Sequence, residues 1–119
     1  MKLVIVGTGY VGLVTGACFA EFGYSVTCID KDNKRLEILK SGKCPFFEPG
    51  MDELLDKHVN KTKLISFKSN IKNNLENSDI IFITVGTPTK RLEEEADLSF
   101  VWQVAEEIAD SIKKYCLVV

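Results

Sequence analysis

Apolar positions along the chain follow two patterns: short continuous runs, and longer stretches in which they recur at helical spacing. The first run, Leu3-Val4-Ile5-Val6, is rich in β-branched residues and stops at Gly7, which predicts a buried strand over residues 2–6. Residues 11–22 follow, with Val11, Val14, Cys18, Phe19 and Phe22 spaced to form one buried stripe of a helix. Gly23 supplies the helix stop, and residues 25–29 read as a second strand ending at Asp30. The result is a β-α-β unit, which implies a parallel pair joined by a right-handed crossover.

Asp32 is placed to cap a helix running to about Lys40, and Gly42 breaks it. Residues 44–50 contain two prolines and a glycine and read as loop. A short helix is expected over residues 51–60, a weak strand over 64–67, and a short polar helix capped by Ser69 and reaching about Asn77. Residues 79–85 are apolar along nearly their whole length, the pattern of a central strand covered on both faces. Residues 86–97 read as a polar loop. Ser99 is expected to cap a helix to about Tyr115, with Val101, Ala105, Ile108, Ala109 and Ile112 along one side, and residues 116–119 begin a fifth strand. Strands alternating with helices predict an α/β fold, a Rossmann-type doubly wound parallel sheet over residues 1–119. A complete sheet of this type has a sixth strand, so the expectation is an incomplete domain, truncated after the start of the fifth.

Composition narrows the function classes. With 45% apolar residues the chain can bury a core, and its net charge of −2 comes from both signs interspersed. No basic face stands out, so neither nucleic acid nor an anionic membrane is expected as a partner. No run of 18 apolar residues exists, and the first apolar run is too short for a secretion signal, so a cytoplasmic location is expected. Cys18, Cys28, Cys44 and Cys116 form no C-x-x-C pair and no zinc ligand set, and read as reduced thiols. Cys44, in the loop, is the one candidate for reactivity, but no His lies near it in sequence. Glu93, Glu94 and Glu95 read as a solvated loop and not as a metal site. His58 reads as a surface residue of the 51–60 helix.

The chemistry concentrates in Gly7-Thr8-Gly9-Tyr10-Val11-Gly12. In this G-x-G-x-x-G pattern Gly7 allows a sharp turn off the strand, Gly9 lets the backbone approach a pyrophosphate, and Gly12 lets the helix pack closely on the strand. The helix then presents its free N–H groups and positive dipole end to the anion. The bare pattern is also compatible with a purely structural glycine turn. Three features favour a dinucleotide: the preceding strand, the following helix, and Asp30, which ends the next strand 18 residues after Gly12, close to the usual spacing of about 20. The Asp30 carboxylate suits an adenosine ribose 2′-hydroxyl and repels a 2′-phosphate, which argues for NAD over NADP. Lys31, Lys34 and Arg35 argue the other way, since they could shield a phosphate, and Arg35 is expected on the adenosine side. FAD uses the same fingerprint. The Val85-Gly86-Thr87-Pro88-Thr89 loop follows a central strand at the carboxyl edge, where ligands of open parallel sheets sit. It reads equally as a cofactor contact and as an ordinary proline turn.

The segment from Gly7 to Gly23, together with Asp30-Lys31-Asp32, Phe47-Glu48-Pro49-Gly50, Val85 to Thr89 and Ala96-Asp97-Leu98-Ser99, resembles the amino-terminal portion of the UDP-glucose 6-dehydrogenases, within the wider UDP-glucose/GDP-mannose dehydrogenase family. The resemblance runs over essentially the whole chain. It implies an enzyme that oxidises UDP-glucose to UDP-glucuronate with two NAD and that is a homodimer when whole. It also implies that Tyr10, Val11 and the glycine turn lie against the pyrophosphate, that Asp30 and Arg35 hold the adenosine end, and that Val85, Gly86 and Thr87 contact the cofactor from the second loop. The family's catalytic cysteine lies in a Gly-Gly-Ser-Cys-Phe-Pro-like segment, which these 119 residues do not contain, so no catalytic residue is assigned and the chain alone is expected to be inactive. Two other readings are a stand-alone nucleotide-binding module without catalysis and another NAD-dependent Rossmann dehydrogenase.

Overall fold

The structure is a computed structural model that describes residues 1–90 and 95–119. Its centre is Lys2–Val6 (β1), whose four apolar residues are all buried. They alternate between two cores: Leu3 and Ile5 face one side of the sheet, Val4 and Val6 the other. β1 pairs in parallel with Ser25–Ile29 (β2) and with Ile80–Ile83 (β4). Ile65–Lys68 (β3) extends the sheet beyond β2, and Leu117–Val118 (β5) extends it beyond β4, giving the order β3-β2-β1-β4-β5. Chain order therefore reverses direction between β1 and β4. In sheets of this kind ligands bind at that switch point, beyond the carboxyl ends of the strands.

Helices cover both faces, as expected of a doubly wound sheet. Tyr10–Glu21 (α1), Asn33–Lys40 (α2) and Met51–Leu55 (α3) pack on the Leu3/Ile5 side, and Ser99–Ser111 (α4) packs on the Val4/Val6 side through Val104 and Ile108. Asp32 caps α2 through its carboxylate, which accepts the Arg35 N–H at 3.1 Å. Helix α1 closes in a Schellman motif: Gly23, at φ +89°, donates to the Ala20 carbonyl, and Tyr24 donates to that of Phe19. Among the described residues no helix is long and apolar enough to cross a membrane.

Four expectations are corrected. The buried face of α1 is Gly12, Leu13, Gly16, Ala17 and Ala20, whereas Val11, Cys18 and Phe22 are exposed and only Val14 and Phe19 pack partly on the core. The bulky stripe lost to the small one because the helix lies very close to the sheet. A Cβ on Gly16 would stand 3.1 Å from Cys28 Sγ and 3.2 Å from Ile5 Cδ1. His58 is buried, 2% exposed, in a π-helical turn over Asp56–Lys61 that continues α3. Its polar partners are one local and one distant: Nδ1 lies 3.0 Å from Thr62 Oγ1, and Nε2 lies 2.7 Å from Glu21 on α1. No helix follows Ser69; the chain makes two successive turns, and Asn73 and Asn77, both at positive φ, interrupt helical winding after each. Ser99 is the first residue of α4, not its cap; its N–H donates to Asp97 Oδ1 at 2.9 Å, and the helix stops at Ser111, short of Tyr115. Of the acidic trio, Glu93 and Glu94 lie outside the described residues, and Glu95 is exposed.

Candidate functional site

The carboxyl ends of β1, β2 and β4 are tied together by the glycine bend. Gly7 donates to the Ile29 carbonyl at 2.8 Å, and Thr84 donates from its N–H to the Val6 carbonyl at 2.8 Å. The Thr84 hydroxyl adds donations toward the Val6 and Gly7 carbonyls at 3.0 and 2.9 Å. Gly7 sits at φ +104°, and a Cβ there would stand 2.6 Å from the Thr84 carbonyl oxygen, so the bend admits only glycine. Gly12 is still more confined: its Cβ would fall 1.9 Å from the Gly7 carbonyl oxygen. Gly9 is different. Among the described residues a Cβ there meets no atom within 4 Å, so none of them demands glycine at that position.

Above this bend lies a cavity of about 970 Å³. Gly7, Gly9, Tyr10, Val11, Asp30, Arg35, Val85, Gly86 and Thr87 all line it, which brings both expected loops to one place. Gly12 does not line it; it is buried beneath, at the contact between α1 and Thr84. Among the described residues no side chain caps the start of α1 and no acidic residue occupies its first turn, so the helix presents its positive end to the cavity.

Asp30 sits at the tip of β2, half-buried, and its carboxylate is tightly held. Oδ2 accepts the Thr8 N–H at 2.8 Å and the Thr8 hydroxyl at 2.5 Å, with Arg35 Nη1 at 3.2 Å. Among the described residues Oδ1 accepts only the Asp32 N–H, at 2.9 Å. Burial by itself would raise the pKa of this carboxyl. The hydrogen bonds from Thr8 and Asp32, joined by the Arg35 charge, outweigh burial and hold it below the usual aspartate value. Thr8 is fully buried and was not singled out from the sequence, where it is only an unspecified position of the glycine motif.

Sequence reasoning also passed over one wall of the cavity. Ser69, Asn70 and Ile71 border it just after β3, a position that the carboxyl-edge rule already indicates. Phe100, Gln103, Val104 and Glu107 border it from α4; their spacing marks one helix face, but nothing in the sequence tells which sheet edge that face meets. Cys44 stands apart, and burial pushes its thiol pKa up, against a nucleophilic role. Among the described residues no group of three or more His, Cys, Asp or Glu could hold a metal ion.

The family model for the NAD binding domain of the UDP-glucose/GDP-mannose dehydrogenase family matches residues 1–119. The chain belongs to this family. It is similar to the UDP-glucose 6-dehydrogenase of Rhizobium meliloti (strain 1021), with 45% identity over 119 residues that make up the whole chain and 27% of that protein. It is also similar to UDP-glucose 6-dehydrogenase TuaD of Bacillus subtilis (strain 168), 42% identical over 99% of the chain and 25% of the relative. Among solved structures, a ternary complex of GDP-mannose dehydrogenase from Pseudomonas aeruginosa superposes with a TM-score of 0.90 at 33% identity, covering 96% of this chain and 26% of the other. The chain thus spans about a quarter of the length of the curated relatives it matches. As an NAD-binding domain of the UDP-glucose/GDP-mannose dehydrogenase family, it places its glycine bend and its strand-tip carboxylate in one cavity.

Proposed function

We propose that this chain is the NAD-binding portion of a UDP-glucose 6-dehydrogenase whose whole protein, a homodimer, oxidises UDP-glucose to UDP-glucuronate with two NAD. The observation that carries the cofactor site is the convergence of Asp30 and the open face of Gly9 on one cavity. In this reading the first-turn N–H groups of α1 take the pyrophosphate, with Tyr10 and Val11 alongside. Asp30 Oδ2 already accepts three donors, so the ribose hydroxyl goes to Oδ1, which accepts one. Arg35 flanks the adenosine, and Val85, Gly86 and Thr87 close the cofactor from the second loop. Bound NAD supplies the hydride acceptor; the residues here bind and orient it. The choice of UDP-glucose rests on the 45% and 42% identities to two UDP-glucose 6-dehydrogenases. Without a nucleophilic cysteine in a fitting setting, this chain alone turns over no sugar nucleotide.

Two measurements test this reading. Calorimetric titration of the chain with NAD and NADP is expected to favour NAD, and Asp30→Ala is expected to narrow the difference; equal or tighter NADP binding by the wild type refutes the cofactor assignment. The whole protein is expected to yield two NADH per UDP-glucose, and faster oxidation of GDP-mannose refutes the substrate.

A further inference from the structure

Lys31, Lys34 and Arg35 follow Asp30 closely enough to shield a 2′-phosphate, a charge pattern that runs against NAD. The structure engages two of these cations elsewhere. Arg35 Nη1 lies 3.2 Å from Asp30 Oδ2. Lys31 Nζ lies 3.0 Å from Glu107 Oε1, on α4, across the cavity. The same Oε1 accepts a hydrogen bond from Gln103 Nε2 at 3.2 Å, one helical turn earlier, which orients the carboxylate. Lys31, Gln103 and Glu107 border the cavity that also holds Asp30 and Arg35. Each of these two cations beside the β2 tip therefore already faces a carboxylate.

We propose that Glu107 is a second specificity-determining residue: by engaging Lys31 it denies that ammonium to a 2′-phosphate, so α4 reinforces the selection of a dinucleotide with a free 2′-hydroxyl. A phosphate that drew Lys31 away would leave the Glu107 charge unpaired nearby, and the exchange of partners would gain little. Lys31 is 65% and Glu107 36% exposed, so solvent screening limits the effect to that of a surface pair, about three- to fivefold in relative affinity. The inference rests on the reading of the cavity as an NAD site.

The test is a calorimetric cycle on the chain with NAD and NADP: wild type, Glu107→Gln, Lys31→Ala and the double variant, each checked for folding by circular dichroism. Glu107→Gln is expected to improve NADP relative to NAD by about three- to fivefold. In the Lys31→Ala background the same substitution is expected to give less than half of that gain. An unmoved ratio in Glu107→Gln, or an equal gain with Lys31 absent, overturns the proposal. Glu107→Ala takes the place of Glu107→Gln should the latter not fold. A wild-type chain that binds no NAD overturns the cavity reading along with it, whereas normal NAD binding with an unmoved ratio overturns only the role of Glu107.

Discussion

Gly9 and Gly12 belong to one motif but answer to different constraints, and alanine at each should separate them. At Gly12 a Cβ would lie 1.9 Å from the Gly7 carbonyl oxygen and 2.4 Å from Thr84 Oγ1. The nearer atom is backbone, so the helix must move off the strand, at a cost of about 1–3 kcal/mol or more. For a domain of this size that is roughly 4–12 °C in Tm. At Gly9 the backbone is extended, φ −72° and ψ −169°, and a Cβ meets nothing. Alanine there removes unfolded-chain entropy worth about 0.4–1 kcal/mol, and gives back a similar amount because alanine is a poorer helix cap than glycine. Gly9→Ala should therefore melt within about 2 °C of the wild type. On the proposed reading of the cavity, its methyl nevertheless stands where a pyrophosphate oxygen approaches the backbone. Loss of one charge-assisted hydrogen bond, about 1.5–3 kcal/mol, weakens NAD roughly 10- to 150-fold. Thermal melts and calorimetric titration on the two variants decide the matter. A Gly9→Ala variant that unfolds, or that binds NAD like the wild type, refutes the division of labour.

Three further outcomes are expected. Asp30 and Glu21 are both held below their ordinary pKa values, Asp30 by hydrogen bonds that overcome its burial and Glu21 by the hydrogen bonds from Lys57 and His58. Depressed carboxyls stabilise the fold fully above their ordinary values and lose that contribution as pH falls through the folded ones, so urea midpoints should hold steady from neutral pH to about 5 and fall below about 4. His58→Ala removes a buried ring, its hydrogen bond to Glu21 on α1 and its hydrogen bond to Thr62 at the end of the π-helical turn, and is expected to cost about 2 kcal/mol in urea unfolding with little change in NAD affinity. Burial pushes the Cys28 thiol up to about 12, and the side chain is fully enclosed, so mass-spectrometric mapping should find the exposed Cys18 alkylated in the native chain and Cys28 alkylated only after denaturation.

The strands, their parallel arrangement and the glycine bend were legible in the sequence because each has a local cause: continuous β-branched runs, and a motif whose spacing is set by one turn of helix. The face of α1 was not. Helical spacing occurs on both of its sides, and bulk pointed to Val11, Cys18 and Phe22, whereas the distance to the sheet, visible only in three dimensions, selects Gly16 and Ala17. His58 failed for a related reason: its partner Glu21 lies 37 residues away, and a buried histidine is recognisable only by such a partner. Of the candidate site, the residues supplied by strand tips could be read, while the α4 wall, including Glu107, depends on how a long-range packing contact happens to close.

On the proposed NAD reading Asp30 couples selectivity to architecture, and that coupling decides how its variants must be read. The carboxylate that is to accept the ribose hydroxyl also receives both the N–H and the hydroxyl of Thr8, in the middle of the glycine bend. Asp30→Ala therefore removes a charge and loosens the bend together, and a loss of NAD binding in that variant does not by itself assign a ribose contact. Thr8→Val separates the two. It deletes the hydroxyl bond from a fully buried position, yet leaves the Asp30 charge, its Oδ1 and the N–H donation in place. Losing a hydrogen bond to a charged group costs about 1.5–3 kcal/mol of stability, and NAD should weaken as the bend relaxes. The ratio of NAD to NADP affinity, however, should stay within about twofold of the wild type, because the charge that repels a 2′-phosphate is untouched. A ratio that collapses in Thr8→Val as far as in Asp30→Ala would mean that discrimination comes from the shape of the bend and not from the carboxylate.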